Sequence, residues 1–304
     1  MLADIQGLHH VTALASDAVR NNHFFTDTLG LRRVKKTVNF DAPDVYHLYY
    51  GDEAGTPGSV MTYFPFPNIA RRHPGTGEVG ETVFAVPEGT LDFWRDRLSA
   101  VSHAEAQRFG QHYLTFQGPD GDSLSLTETT DGRHGWTGTV SSDHAVKGFH
   151  SVLLRLADAA PTADLLKFMG YEEVASEGRL TRFALPKGND AHVIDLLSAP
   201  EMPEAREAGG SVHHIAFSVA DRAAQDRVRS ALTEAGYRVT PSIDRDYFWA
   251  IYFRSPGGVL FEVATDEPGF ARDEDPAHLG EALKLPEQHA HLREKLEASL
   301  TPIP

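Results

Sequence analysis

Two histidine pairs and one late glutamate are the residues whose types and spacing can do chemistry: His9-His10, His213-His214 and Glu262. Both pairs occupy the same place in similar stretches, Gly7-Leu-His-His-Val-Thr and Ser211-Val-His-His-Ile-Ala. Side chains alternate faces along a strand, so only one histidine of each pair is expected to point into a given cavity. His213 would share its face with Ile215, Phe217 and Val219, a set suited to packing against a helix. That leaves His214, and by the same position His10, as the ligand candidates. Glu262 lies inside the apolar run Val259-Leu-Phe-Glu-Val-Ala, where a carboxylate is costly unless it is paired or bound to a cation. The turn Ser255-Pro-Gly-Gly predicts a hairpin that puts Tyr252 directly across from Glu262, and Arg245 lies just upstream. Two imidazoles and one carboxylate, with other positions open, form the facial triad that suits non-heme Fe(II) and dioxygen. An acidic protein that binds a phenolate needs a nearby cation, and Arg245 is the candidate.

The elements that must position these residues recur four times. Gly148-Phe-His-Ser-Val-Leu is a third copy of the strand start, and Gly80-Glu-Thr-Val-Phe-Ala-Val is a fainter fourth. Each start is followed by a helical stretch: Asp17 to Leu29, Thr90 to Ala100, Asp158 to Met169 and Asp221 to Ala235. Short β-branched or aromatic runs come next, such as Val45 to Tyr50 and Val60 to Phe64. The predicted unit is strand, helix, three strands, about 60 to 70 residues long, and the fold class is α+β. A polar boundary over Asp131 to Lys147 divides an N-terminal domain, 1–135, from a C-terminal domain, 145–270. The tail, 271–304, is expected to hold a final helix over Pro286 to Leu300. Units two and three offer Glu81, Ser125, Ser151 and Asp195 in place of the triad, a degenerate twin without imidazole ligands. The remaining histidines, His47 among them, receive no role.

A chain of 304 residues, 41% hydrophobic and 23% charged, is long enough for about two globular domains. The 28 basic residues against 43 acidic ones give −15, which argues against nucleic acid or an anionic membrane as partner. Cysteine is absent, which excludes disulfides, thiolate metal sites and cysteine nucleophiles. The N-terminal stretch carries no basic region followed by an apolar core, so a cytoplasmic location is expected.

With these stretches and the run from Arg245 to Phe270, the chain resembles the hydroquinone-type ring-cleaving dioxygenases of the vicinal-oxygen-chelate superfamily, which also holds glyoxalases and bleomycin resistance proteins. The resemblance implies the vicinal-oxygen-chelate fold, four βαβββ modules arranged as two domains. It implies Fe(II) held by His10, His214 and Glu262, with Mn(II) or Zn(II) as metals a purified sample can carry. It also implies a surrounding set of His9, Thr12, His213, Arg245 and Tyr252. In that set Thr12, Arg245 and Tyr252 meet the substrate, Arg245 and Tyr252 stabilise its oxyanion, and His9 or His213 moves protons. The expected partners are a small aromatic substrate and dioxygen, with a homo-oligomer left open. Two rival functions are a glyoxalase-like metal-dependent lyase or isomerase, and a non-enzymatic quinone- or drug-binding protein.

Overall fold

The structure, a computed structural model, describes residues 2–304. Four modules follow one another along the chain. The first holds β1 (Leu8–Ala15), α1 (Ala18–His23) continued by a wider turn over Phe24–Thr28, β2 (Arg32–Val38), β3 (Tyr46–Gly51) and β4 (Val60–Pro65). The second holds β5 (Glu78–Pro87), α2 (Leu91–Arg97), β6 (His103–Arg108), β7 (Gln111–Gln117) and β8 (Ser123–Thr129). The third holds β9 (Gly148–Leu156), α3 (Ala160–Phe168), β10 (Glu172–Glu177), β11 (Leu180–Ala184) and β12 (Val193–Ser198). The fourth holds β13 (Val212–Val219), α4 (Arg222–Glu234), β14 (Ile243–Asp244), β15 (Phe248–Arg254) and β16 (Leu260–Pro268).

Local chemistry sets the joints. The side chains of Asp17 and Asp221 accept hydrogen bonds from the backbone N–H of Arg20 and Ala224, starting α1 and α4. Gly236 ends the turn after α4 with φ at 93°, a left-handed conformation that a side chain would strain.

The strands form two eight-stranded sheets, ordered β14-β15-β16-β13-β1-β4-β3-β2 and β10-β11-β12-β9-β5-β8-β7-β6. At the centre of each, two module-opening strands pair antiparallel: β1 with β13, and β5 with β9. The sheets therefore join module one with four and module two with three. The reason is in the strands: each opening strand is bonded on one side to the last strand of its own module and has one edge free for another opening strand. The linkers that cross between sheets run side by side, bridging Arg71 to Gly209 and Thr76 to Glu204.

Face alternation divides each central strand. Val11, Ala13 and Ala15 of β1 and Ile215, Phe217 and Val219 of β13 join the main core, with Val228 and Leu232 of α4. Burying each of the larger side chains contributes about 1.5–3 kcal/mol. The opposite face carries His10, Thr12 and Leu14, and His214, Ala216 and Ser218, and it is this face that holds the cavity.

The tail, with a 3-10 turn over Glu287–Leu292 and α5 (Arg293–Ser299), returns to module one. Lys35, fully buried on β2, is met by Asp273 at 2.6 Å and by Glu274. Gln288 donates to the carbonyl of Phe40 at 3.2 Å, and His289 Nε2 lies 2.8 Å from the same oxygen. No helix among the described residues is long and apolar enough to cross a membrane.

Candidate metal centre

Parallel pairing of β13 with β16 sets Ala216 beside Glu262, and antiparallel pairing of β1 with β13 sets Thr12 beside His214. These registers bring His10, His214 and Glu262 together, with one donor atom from each inside 4.8 Å of the others. His214 Nε2 lies 2.9 Å and His10 Nε2 3.4 Å from Glu262 Oε2, and the two Nε2 atoms are 3.3 Å apart. All three side chains are buried, Glu262 completely. Neither Glu262 oxygen has a hydrogen-bond partner among the described residues. An orphaned, fully buried carboxylate is expensive, by several kcal/mol, unless a cation meets it. Burial holds His214 down to about 4, so its ring is neutral near pH 7 and supplies no such charge. Two imidazole nitrogens aimed at one bare carboxylate therefore fit a divalent metal, and tripodal N,N,O donors fit iron, manganese or zinc.

Behind each candidate ligand stands its neighbour. His9 Nδ1 is 2.9 Å from His10 Nδ1, and His213 Nδ1 is 2.7 Å from His214 Nδ1. The inner ring nitrogen of each ligand ring is thus engaged, which leaves Nε2 for the metal. Strict alternation had forbidden two adjacent histidines from one face. The register of β1 against β13 slips between Leu8 and His10 and again between Thr12 and Ala13, so that His9 and His213 are each the extra residue of a bulge. A bulge re-aims its side chain, and here it turns the first ring of each pair towards the second. Consequently His213 lines the cavity beside His214, against the expectation that it packs under the helix. His9 stays buried against Phe248 at 5.3 Å between ring centres, and burial with His10 nearby pushes it down to about 3.

Above the triad opens a cavity of about 690 Å³. Leu14, Phe40, Phe64, Phe66, Ile69 and Phe248 supply its apolar walls. Tyr252 pairs across the hairpin with Glu262, as the turn predicted, and its ring stands edge-on to His214. Arg245 Nε donates to the Tyr252 hydroxyl at 3.3 Å, and its guanidinium lies 3.6 Å from the exposed Asp41. Thr12, expected at the substrate, has no exposed surface; Thr62 covers it and donates to its hydroxyl at 2.9 Å. Sequence reasoning missed His47 and Tyr49, which also line the cavity. Their signal was the pair of polar rings two apart in Tyr46-His-Leu-Tyr-Tyr, which alternation places on one face.

In the other sheet the twin site is closed by arginines. Arg108 grips Glu81 with two bonds of 2.7 and 2.8 Å, and Ser125 also bonds Glu81. Arg182 grips Asp195 with two bonds of 2.8 Å and donates to the Tyr113 hydroxyl. Ser151 lies 3.0 Å from His150 Nδ1. Fixed guanidinium groups thus occupy both carboxylates of this sheet.

The model of the Glyoxalase/Bleomycin resistance protein/Dioxygenase superfamily matches residues 173–263. Over its whole length the chain is similar to "Putative ring-cleaving dioxygenase MhqO" of Bacillus subtilis, 42% identical across 99% of this chain and 98% of the relative. The chain belongs to this superfamily. Another member, the "Chlorohydroquinone/hydroquinone 1,2-dioxygenase" of Sphingobium indicum, is 35% identical across 96% of this chain and 95% of its own. A crystal structure of a dioxygenase, described as putative, from Bacillus subtilis superposes with a TM-score of 0.96 at 42% identity, covering 99% of this chain and 98% of that one. Maize glyoxalase I superposes with a TM-score of 0.64 at 14% identity over 86% of this chain and 92% of its own, which shows the shared fold. The superfamily member described here thus has the α+β vicinal-oxygen-chelate fold, with all four modules present.

Proposed function

We propose that the protein is an Fe(II)-dependent ring-cleaving dioxygenase that opens a hydroquinone- or catechol-type ring with dioxygen. The observation that carries this reading is the orphaned Glu262 carboxylate beneath two imidazole nitrogens, at the floor of an aromatic-walled cavity. Relatives named for ring cleavage and for hydroquinone 1,2-dioxygenation match the chain from end to end. When bound to His10, His214 and Glu262, Fe(II) supplies coordination for a ring oxygen and a redox path from the electron-rich ring to dioxygen.

The remaining chemistry belongs to the chain. The apolar walls hold the ring and exclude water. A cavity of about 150 Å³ is enough to take up benzene, so one of about 690 Å³ has room for ring substituents. Arg245 and Tyr252 meet the negative charge that develops on the ring oxygen, with the donors held in place beforehand. His9 and His213 fix the orientation of the ligand rings through their Nδ1 contacts. Of the two, only His213 reaches the cavity, and it takes and returns a proton there.

Anaerobic reconstitution followed by oxygen-uptake assays on a panel of hydroquinones and catechols tests the reading. Fe(II) should restore turnover with dioxygen consumed, and Zn(II) should not. Faster turnover with Zn(II) and no oxygen consumed would replace it with the lyase or isomerase reading.

A further inference from the structure

The cavity wall beside Arg245 is carried by a connector rather than a strand. Phe64 and Phe248 stand on β4 and β15, whereas Phe40 stands on the connector 39–45 between β2 and β3. The Asn39 N–H closes its neck, donating to the carbonyl of Val45 at 2.8 Å. The Asn39 side chain accepts from the N–H of Asp41 at 2.8 Å and of Ala42 at 3.2 Å. On the cavity side the Arg245 guanidinium lies over the Phe40 ring, 5.4 Å from its centre, and over the Tyr252 ring at 5.5 Å. The same guanidinium is 3.6 Å from Asp41.

The C-terminal tail is bonded to both sides of this contact. Arg272 donates to the carbonyl of Asp246 at 2.6 Å, and the Tyr247 hydroxyl donates to Asp273 at 3.1 Å, which fixes the stretch next to Arg245. The tail then follows β2: Arg33 donates to the carbonyl of Gly280 at 2.9 Å, and the Lys284 N–H donates to the carbonyl of Lys36 at 2.9 Å. It reaches the connector at Gln288 and His289, whose side-chain nitrogens lie 3.2 and 2.8 Å from the Phe40 carbonyl oxygen. A carbonyl oxygen has two lone pairs and can accept from both. Past this point Leu296 is buried, and the Tyr46 hydroxyl donates to the carbonyl of Thr301 at 3.1 Å.

We propose that Phe40 determines which ring substituents fit on the Arg245 side of the cavity, and that Gln288 and His289 are positioning residues that clamp it from the tail. The inference rests on the ring-cleaving reading. A side chain on a connector forms a firm wall only when its backbone is held. Here the ring is drawn inwards by a cation over its face, and the carbonyl behind it is held from outside by the tail. Arg245 meets the charged ring oxygen, so the substituents nearest that oxygen come within reach of the Phe40 ring. A phenyl group fixed there admits a small substituent and turns away a branched one, since closely packed walls do not give way. Gln288 and His289 do not line the cavity and act through Phe40. The tail thereby takes part in substrate choice without touching the substrate.

Full-length, iron-loaded Phe40→Ala, Gln288→Ala with His289→Ala, and the triple variant test the clamp. The substrates are hydroquinone or catechol, whichever the wild type turns over, and its tert-butyl derivative. Phe40→Ala should raise kcat/KM for the tert-butyl compound relative to the parent about tenfold, the low end of size discrimination in an apolar pocket. The tail variant should shift the ratio in the same direction, and the triple variant should match Phe40→Ala, because the tail acts only through that ring. Hydrogen exchange gives a readout independent of turnover. The amides of Asp41, Ala42 and Val45 should exchange about tenfold faster in the tail variant, the scale of one lost hydrogen bond. An unchanged ratio in either variant, an equal loss with both substrates in the tail variant, or unchanged exchange in the connector would each overturn the proposal. Wild-type protein that consumes no oxygen with any hydroquinone or catechol would overturn the ring-cleaving reading, and with it the selection of substituents; the exchange rates would still decide the clamp.

Discussion

Replacing Arg245 by Met separates substrate anchoring from metal binding, because guanidinium has only donors and stays protonated. Removing one preorganised oxyanion donor costs about 2.7–4 kcal/mol. Two contacts reduce that figure here. The Asp41 carboxylate 3.6 Å away already shares the charge, but its side chain is 83% exposed, so solvent screening limits the pair to about 1 kcal/mol at most. The bond to Tyr252 is long, at 3.3 Å, and leaves most donors free. A net loss of about 2 kcal/mol remains, which is roughly a 30-fold drop in kcat/KM. Arg245→Lys should recover only part, since a point charge does not reproduce the planar fork. The assay is oxygen uptake at several substrate concentrations on iron-quantified samples. A fall in kcat and kcat/KM together marks a contact made in the transition state, and a rise in KM alone marks uniform binding. Unchanged kinetics would make Arg245 a surface partner of Asp41 and remove the anion anchor from the site.

His10→Ala, His214→Ala and Glu262→Ala should each abolish metal retention in a folded protein, whereas His9→Ala and His213→Ala should keep metal and slow the reaction; iron analysis of the five variants decides it. Arg182→Met should destabilise the protein by about 3–5 kcal/mol in denaturant melts, because it leaves the buried Asp195 unpaired. Burial, with Arg182 and Arg133 nearby, holds His150 at about 3, below the unfolded value, so its contribution is complete above about pH 6.5 and is lost as pH falls towards 3. Between pH 6.5 and 5 the wild type should lose about 2 kcal/mol more than His150→Gln, read from urea midpoints.

The module pattern was legible because each unit repeats the same local signals: an opening strand, a helix and a glycine stop. How modules pair was not read from those signals, since hydrogen bonding between opening strands is non-local. The ligand set nonetheless contained the answer: His10 from module one and His214 with Glu262 from module four can meet only if those modules adjoin. Face alternation and the hairpin turn anticipated the pairing of Tyr252 with Glu262 and the cavity-facing side of His214. It failed for His213, because a bulge adds a residue that the period of two does not count. The arginine closure of the twin site escaped notice for another reason. Arg108 and Arg182 are ordinary residues in polar strands, and only the sheet shows that they grip Glu81 and Asp195. His47 and Tyr49 were passed over because their one signal, two polar rings on one strand face, says nothing of which cavity that face meets; only the sheet brings them to the cavity of His10 and His214.

The order of strands also sets a timetable for synthesis. β5 to β12 are contiguous, so their sheet can close as soon as Ser198 has emerged from the ribosome. The sheet that holds the metal candidates cannot. From Ala15 until Val212 appears, β1 waits with one edge unpaired, which at about 5–20 residues per second is roughly 10–40 s. Throughout that interval β1 offers a strand edge with an apolar face, the kind of surface that recruits neighbouring nascent chains. Crowded polysomes making this protein therefore carry a hazard confined to the first module, and a holdase that covers β1 would matter more for yield than one acting after release.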